Sequence, residues 1–208
     1  MNDTLVFRPY QSSDHQALAA IIRETWHYDQ FLSSKAAKRM ARLYLDSCLA
    51  NQTFTQVAVL NGNPVGIIMA NSHHLQRRPL RVRLRWLRSL AAVLSTVEGR
   101  HTLRLFSDIQ GIDKALLAQT GKTYDGEIAF FALSASARGK GLGRRLFASA
   151  MNALRQSGVA SCYLFTDTSC NYGFYEHLGM TRRAQHTRRF TVNGEEAAMT
   201  FFIYDCSC

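Results

Sequence analysis

Between an apolar run from Glu127 to Leu133 and a helical run that starts near Leu142 lies the segment Arg138-Gly139-Lys140-Gly141-Leu142-Gly143. An apolar strand that enters a glycine turn and leaves as an amphipathic helix makes a strand–turn–helix unit. The helix carries Leu146, Phe147, Ala150, Met151 and Leu154 on one face, and Gly158 ends it. Glycines let the backbone take positive φ and come close to a ligand. The N-terminus of the following helix turns unpaired N–H groups and partial positive charge toward the same place. Arg138, Lys140, Arg144 and Arg145 add formal charge. The unit therefore suits a phosphate. Two common phosphate motifs are excluded. The spacing G-x-x-x-x-G-K-[ST] is absent, and the dinucleotide fingerprint would need a glycine at Arg144 and an acid about 20 residues further on.

The rest of the chain supplies a sheet for this unit. Thr4 to Pro9 alternates apolar and polar residues as a strand does, and Ser12-Ser13-Asp14 can cap a helix with Leu18, Ile21 and Ile22 on one face. Lys35 to Leu49 is a second helical run. Phe54 to Leu60 and Pro64 to Ala70 flank Asn61-Gly62-Asn63, a hairpin turn sequence. After the glycine unit come a strand at Ser161 to Thr166, a short helix at Asn171 to Leu178 closed by Gly179, and a strand pair around Asn193-Gly194. This order predicts one α/β domain over residues 1–208, a mixed sheet with helices on both faces.

Residues 73–122 break the pattern. Pro79 can open a helix, and Leu80, Leu84, Leu87, Ala91 and Leu94 follow at steps of 4, 3, 4 and 3. That stripe is expected to pack in the core, with Arg81, Arg85 and Arg88 on another face toward solvent or ligand. Leu105, Ile109, Ile112 and Leu116 mark a second helix, weakened by Gly111. Two helices of about 50 residues exceed an ordinary connection and read as a basic insertion.

Charge concentrates there. The chain carries 25 Lys and Arg against 15 Asp and Glu, a net charge of +10. Residues 1–72 are nearly balanced, whereas His73 to Arg104 holds Arg77, Arg78, Arg81, Arg83, Arg85, Arg88, Arg100 and Arg104 against the single acid Glu98. A further cluster is Arg182, Arg183, Arg188 and Arg189. Such clusters attract anions: a phosphorylated cofactor, nucleic acid, an acidic lipid surface or an acidic protein. A hydrophobic share of 47% with 19% charged residues excludes a disordered chain. No stretch is apolar enough to span a membrane, and MNDTLVFRPY lacks the pattern of a secretory signal. Cys48, Cys162, Cys170, Cys206 and Cys208 form no C-x-x-C pair, so neither a disulfide framework nor a metal site is expected, and a reducing cytoplasm is. His73 and His74 are not spaced against other ligands, and Cys206-Ser207-Cys208 is expected to fray.

The turn Arg138 to Gly143 resembles the R/Q-x-x-G-x-G/A signature of the GCN5-related N-acetyltransferases. Asn171-Tyr172-Gly173-Phe174-Tyr175-Glu176-His177-Leu178-Gly179-Met180 is similar to that family's N-x-x-F-Y-E-x-x-G-F signature, with Met180 in place of Phe. The resemblance is close from Glu127 to about Tyr204, extends to residues 4–72 only as an order of elements, and does not cover the basic insertion. It implies a splayed mixed sheet of about seven strands that binds acetyl-CoA in its opening. By the same resemblance, Gly139, Lys140, Gly141, Leu142, Gly143 and the flanking Arg138 and Arg144 would hold the pyrophosphate. Ala132, Leu133 and Ser134 would pair with the pantetheine arm, and Asn171 would meet it from the other side.

Acetyl transfer to an amine needs a neutral nucleophile, a donor for the tetrahedral oxyanion and a proton for the departing thiolate. Tyr175 suits the last task, as the resemblance also implies; the alternative is a core tyrosine packed on Phe174. Glu127 is a candidate base, similar in place to the base of the histone-acetylating branch; the alternative is a solvated strand-end carboxylate beside Asp125 and Gly126. Asp167 and His177 are further candidates. The expected activity is transfer of acetyl from acetyl-CoA to a small-molecule primary amine by direct attack in a ternary complex. An amine on a protein or aminoacyl-tRNA is the alternative that the arginines raise, and a non-catalytic acyl-CoA-binding module is the third. The insertion is open to three roles: a lid over the acceptor site, a homodimer interface, or a docking face for nucleic acid or another anionic partner. The acceptor pocket is expected from residues 12–50, the turn near Asn71 and the final hairpin.

Overall fold

The computed structural model describes residues 4–75, 80–192 and 195–208. Arg77, Arg78, Pro79 and the Asn193-Gly194 turn lie outside the described residues. The strands are β1 (Leu5–Arg8), β2 (Phe54–Leu60), β3 (Asn63–Ser72), β4 (Gly126–Leu133), β5 (Ser161–Asp167), β6 (Thr181–Val192) and β7 (Glu195–Ser207). They form one seven-stranded sheet in the order β1-β2-β3-β4-β5-β7-β6. All neighbours are antiparallel except β4 and β5. The helices are α1 (His15–Thr25), α2 (Ser34–Asn51), α3 (Leu80–Leu94), α4 (Val97–Gln119), α5 (Leu142–Gln156) and α6 (Gly173–His177).

Each sheet face carries its own core. Leu18, Ile22, Met40 and Leu45 of α1 and α2 bury against Ile67, Met69, Phe130 and Ala132. On the other face Leu146, Ala150 and Leu154 of α5 bury against Ile68, Ile128, Leu164 and Tyr204. A third cluster joins Ile112 and Leu116 of α4 to Tyr163, Phe201 and Ile203 of β5 and β7. Helix α4 thus reaches from the N-terminal helices across to the C-terminal strands.

The leucine stripe of α3 does not pack. Leu80, Leu84 and Leu87 are 72%, 53% and 50% exposed, while Val93 on the opposite side is 1% exposed. The buried face is Val82, Trp86, Leu90 and Val93, a second apolar stripe of similar spacing. Asp46, a buried carboxylate of α2, selects this face. It accepts from Arg85 Nε at 2.5 Å and Ser89 Oγ at 2.6 Å, and its Oδ1 lies 3.0 Å from His15 Nε2. Arg85 therefore turns inward, not outward with Arg81 and Arg88. Burial pushes the Asp46 carboxyl up, but the hydrogen bonds of His15 and Ser89 and the charges of His15 and Arg85 outweigh it and hold the group below the usual carboxylate range.

Helix α4 begins at Val97, eight residues before the first of the expected apolar positions. Thr96 caps it by accepting from Gly99 N at 3.1 Å. Gly111 sits exposed within the helix and does not break it. The chain end also departs from expectation. Instead of fraying, β7 runs to Ser207, with Cys206 opposite Cys162 and Cys208 N bonded to Ala160 O at 2.9 Å.

Asp46→Asn should cost about 2–3 kcal/mol, because it removes the charge from hydrogen bonds that half-buried Arg85 and Ser89 make to a buried carboxylate. For a chain of this size that is a fall of roughly 10 °C in Tm, read by thermal unfolding at neutral pH. A carboxylate held low contributes stability that is present at neutral pH and lost as pH falls through its folded value. The variant should therefore lose less stability on acidification than the wild type.

Candidate active site

β4 and β5 are in register only at Gly126↔Cys162 and Glu127↔Tyr163. Beyond these residues the two strands part. On its other edge β4 stays bonded to β3, where Met69 faces Phe130 and Asn71 faces Glu127, so β4 carries an extra residue in between. Such a bulge bends the strand and increases its twist. The sheet opens into a V, and two cavities occupy the opening.

The larger cleft, about 490 Å³, lies over the glycine turn. Ala132 and Leu133 line it from β4, and Asn171 from the opposite side. Arg138, Gly139, Gly141, Leu142, Gly143 and Arg144 form its floor. Gly139 and Gly141 stand at φ +76° and +72°, a conformation that L side chains rarely adopt. A Cβ at Gly143 would stand 3.4 Å from the rings of Phe131 and Phe174. Gly141 precedes α5 without a side-chain cap, so the N–H groups of the first turn are free for an anion. Ser134 and Lys140 are not in the lining. Ser134 N donates to Val65 O of β3 at 2.8 Å, and Lys140 is exposed. Arg145 turns away and stacks over Phe7 with its guanidinium 4.3 Å from the ring centroid.

The smaller cavity, about 130 Å³, adjoins it. Trp26, Tyr44, Phe165 and Phe201 give aromatic walls, and Asp113 and Asp167 supply carboxylates. Phe131, Cys170 and Tyr175 line both cavities. Tyr175 therefore stands where the two meet, and burial raises its phenol above the ordinary value, keeping it protonated. Trp26, Tyr44 and Phe201 come from the stretches where an acceptor pocket is expected; Asn71 is not in the lining.

Glu127 lines neither cavity. Its carboxyl is not the solvated strand end that its position allows. Burial raises it, against the charge of His73 and a hydrogen bond with Tyr163. Asp113, half-buried, lines the smaller cavity instead. Burial, with the nearby charges of Glu127 and Asp167, pushes its carboxyl up to about 7. His177 is on the outer side of α6, its Nδ1 2.6 Å from Gly173 O.

The model of the acetyltransferase (GNAT) family matches residues 18–180, and this stretch contains the whole glycine turn, α4 and α6. The chain belongs to the GNAT acetyltransferase family. Among solved structures, the GNAT-fold neighbours include SsHAT, with a TM-score of 0.62 at 16% identity over 98% of both chains. An N-acetyltransferase from Staphylococcus aureus aligns with a TM-score of 0.55 at 13% identity over 98% of both chains. A GNAT-family acetyltransferase from Streptococcus pneumoniae aligns with a TM-score of 0.54 at 16% identity, covering 99% of this chain and 100% of that one. Curated protein sequences give no match. In this GNAT chain, Asp113 is the site residue that sequence reasoning missed. It lies within the apolar repeat of α4, directly after Ile112, and no motif marks it. Only the packing of Ile112 and Leu116 on β5 and β7 turns that helix edge toward the opening.

Gly141→Ala should lower stability by about 1 kcal/mol through backbone strain alone, because no atom stands within 4 Å of the added Cβ. Denaturant unfolding reads this directly. An unchanged midpoint would mean that the turn relaxes out of the left-handed region.

Proposed function

We propose that this GNAT protein is an N-acetyltransferase that carries acetyl from acetyl-CoA to the primary amine of a small molecule by direct attack in a ternary complex. One observation carries the reading: a cationic, glycine-floored cleft and a carboxylate-bearing aromatic pocket meet at Tyr175. The cradle fits a pyrophosphate, since Gly139, Gly141 and Gly143 expose backbone amides and Arg138 and Arg144 add charge. Among the described residues, β4 has no strand partner on the side of the opening from residue 128 onward, which leaves Ala132 and Leu133 free to pair with an extended amide-bearing arm. Asn171 lines the far wall.

In the pocket, Asp113 and Asp167 favour an ammonium, and the rings of Trp26 and Tyr44 accommodate a cation or its alkyl chain. Asp113, with its carboxyl near 7, takes the proton that the amine must lose before it attacks. Glu127 acts from behind the pocket wall, where its charge helps to raise Asp113. Tyr175 returns a proton to the departing thiolate. The volume of about 130 Å³ favours a small acceptor, and no residue of α3 lines either cavity, which sets the helical arginines apart from the acceptor site. The five thiols are free, as in a reducing compartment such as the cytoplasm.

Calorimetric titration with acetyl-CoA should give a saturable isotherm that Gly141→Glu abolishes; no binding by the wild type would overturn the reading. Tyr175→Phe should lower kcat by about 10²-fold or more while leaving acetyl-CoA affinity near the wild-type value. Equal kcat would remove Tyr175 from the mechanism. With an alkylamine acceptor, kcat/KM should rise as pH increases through about 7, where Asp113 ionises, and Asp113→Asn should flatten that rise.

A further inference from the structure

The outer surface of α3 is built in reverse of an ordinary surface helix. Leu80, Leu84, Leu87, Ala91 and Leu94 are exposed, and at about 100° per residue they fall along one crest. That crest is opposite the half-buried Val82 and Trp86 and the buried Val93, so it is the part of the helix furthest from the core. Arg81 and Arg88 flank the crest on one side and Arg83 on the other. Helix α3 contains no acid. Its exposed arginines differ from those of the C-terminal strands. Arg182 pairs with Glu176 at 2.6 Å, Arg183 with Asp205 at 2.6 Å and Arg188 with Asp108 at 2.8 Å. Arg81, Arg83 and Arg88 have no ion pair among the described residues.

The composition of the crest discriminates among occupants. A nucleic acid rewards arginine but gives nothing for four exposed leucines. A second copy seated on the same face by a two-fold axis would bring the arginine rows of both copies together with no acid on either helix. An anionic lipid surface rewards both features at once: leucines enter the acyl boundary, and flanking arginines reach the phosphates with their alkyl stems along the apolar zone. The crest extends about 22 Å along a helix fixed to the core by Arg85, Ser89 and Asp46, so it can lie in a bilayer plane without unfolding. Among the described residues no helix is long and apolar enough to cross a membrane, so the contact is peripheral.

We infer that α3 docks this protein onto an anionic membrane surface, with the leucine crest inserted and Arg81, Arg83 and Arg88 on headgroup phosphates. The inference stands apart from the acetyl-transfer reading, since α3 lines neither cavity.

Flotation of the full chain with vesicles tests it, using phosphatidylcholine alone and phosphatidylcholine mixed three to one with phosphatidylglycerol. The wild type should float with the anionic vesicles, weakly with the neutral ones, and less as salt rises. Leu84→Gln with Leu87→Gln should weaken binding about tenfold or more per leucine. Arg81→Gln, Arg83→Gln and Arg88→Gln should each weaken it roughly fivefold. These positions are exposed, so unchanged circular dichroism and Tm will verify that the variants are folded. Failure of the wild type to float, or flotation indifferent to the leucine pair, overturns the inference. So does a concentration-dependent dimer in sedimentation that the leucine pair dissociates, which would assign the crest to a second copy.

Discussion

Among the described residues, Gly126↔Cys162 and Glu127↔Tyr163 are the only ladder pairs between β4 and β5, and the site exists because they stop there. A parallel sheet continued to the ends of both strands would close the opening and satisfy the backbone of residues 128–133 internally. The bulge in β4 turns the strand away, and β7 holds β5 from its other edge. The opening then receives walls of opposite charge from different parts of the chain. The glycine turn and the start of α5 give the positive side, and α4 and the end of β5 give the carboxylates. Two cosubstrates of opposite charge can be held side by side on such a surface because each is attracted to its own wall.

Helix α4 contributes only if its position is fixed, and polar contacts fix it at both ends. At its start, Glu98 accepts from Ser33 N at 2.6 Å and Ser33 Oγ at 2.7 Å. Past its end, Lys122 and Tyr124 donate to the buried Asp205 of β7 at 2.8 and 2.9 Å. Arg183 of β6 shares that carboxylate. Between the two ends Ile112 and Leu116 bury, and Asp113 is delivered to the pocket. Asp46 does the same for α3. Buried carboxylates with several donors contribute little net stability for their burial, but they leave one orientation much better satisfied than the others.

The difference between what the sequence disclosed and what it hid follows the range of the interactions involved. The glycine turn, the strands of the meander and the Asn171 to Gly179 segment were legible because their signals are local: positive φ, alternation and helix termination. The two leucine-like faces of α3 could not be ranked, because the choice is made by Asp46, which precedes Arg85 by 39 residues. Leu80, Leu84 and Leu87 formed the cleaner stripe and are nonetheless exposed. Asp113 was invisible for the same reason, since its surroundings come from β5 and β7. The start of α4 was a different kind of miss. Thr96 three residues before Gly99, with Glu98 in the first turn, is a local capping signal that lies outside the span of the apolar repeat.

The strand order also sets a sequence of events during synthesis. β7 lies between β5 and β6, yet it is the last element of the chain. While it is being translated, β5 has only its two-residue pairing to β4, and β6 has no strand beside it. The second half of the sheet cannot assemble until the ribosome has delivered residues up to Ser207, although the glycine turn and α5 are available far earlier. A nascent chain of this protein therefore carries open strand edges at β5 and β6 until residues 195–207 have been made, and the smaller cavity lacks its Phe201 wall until then.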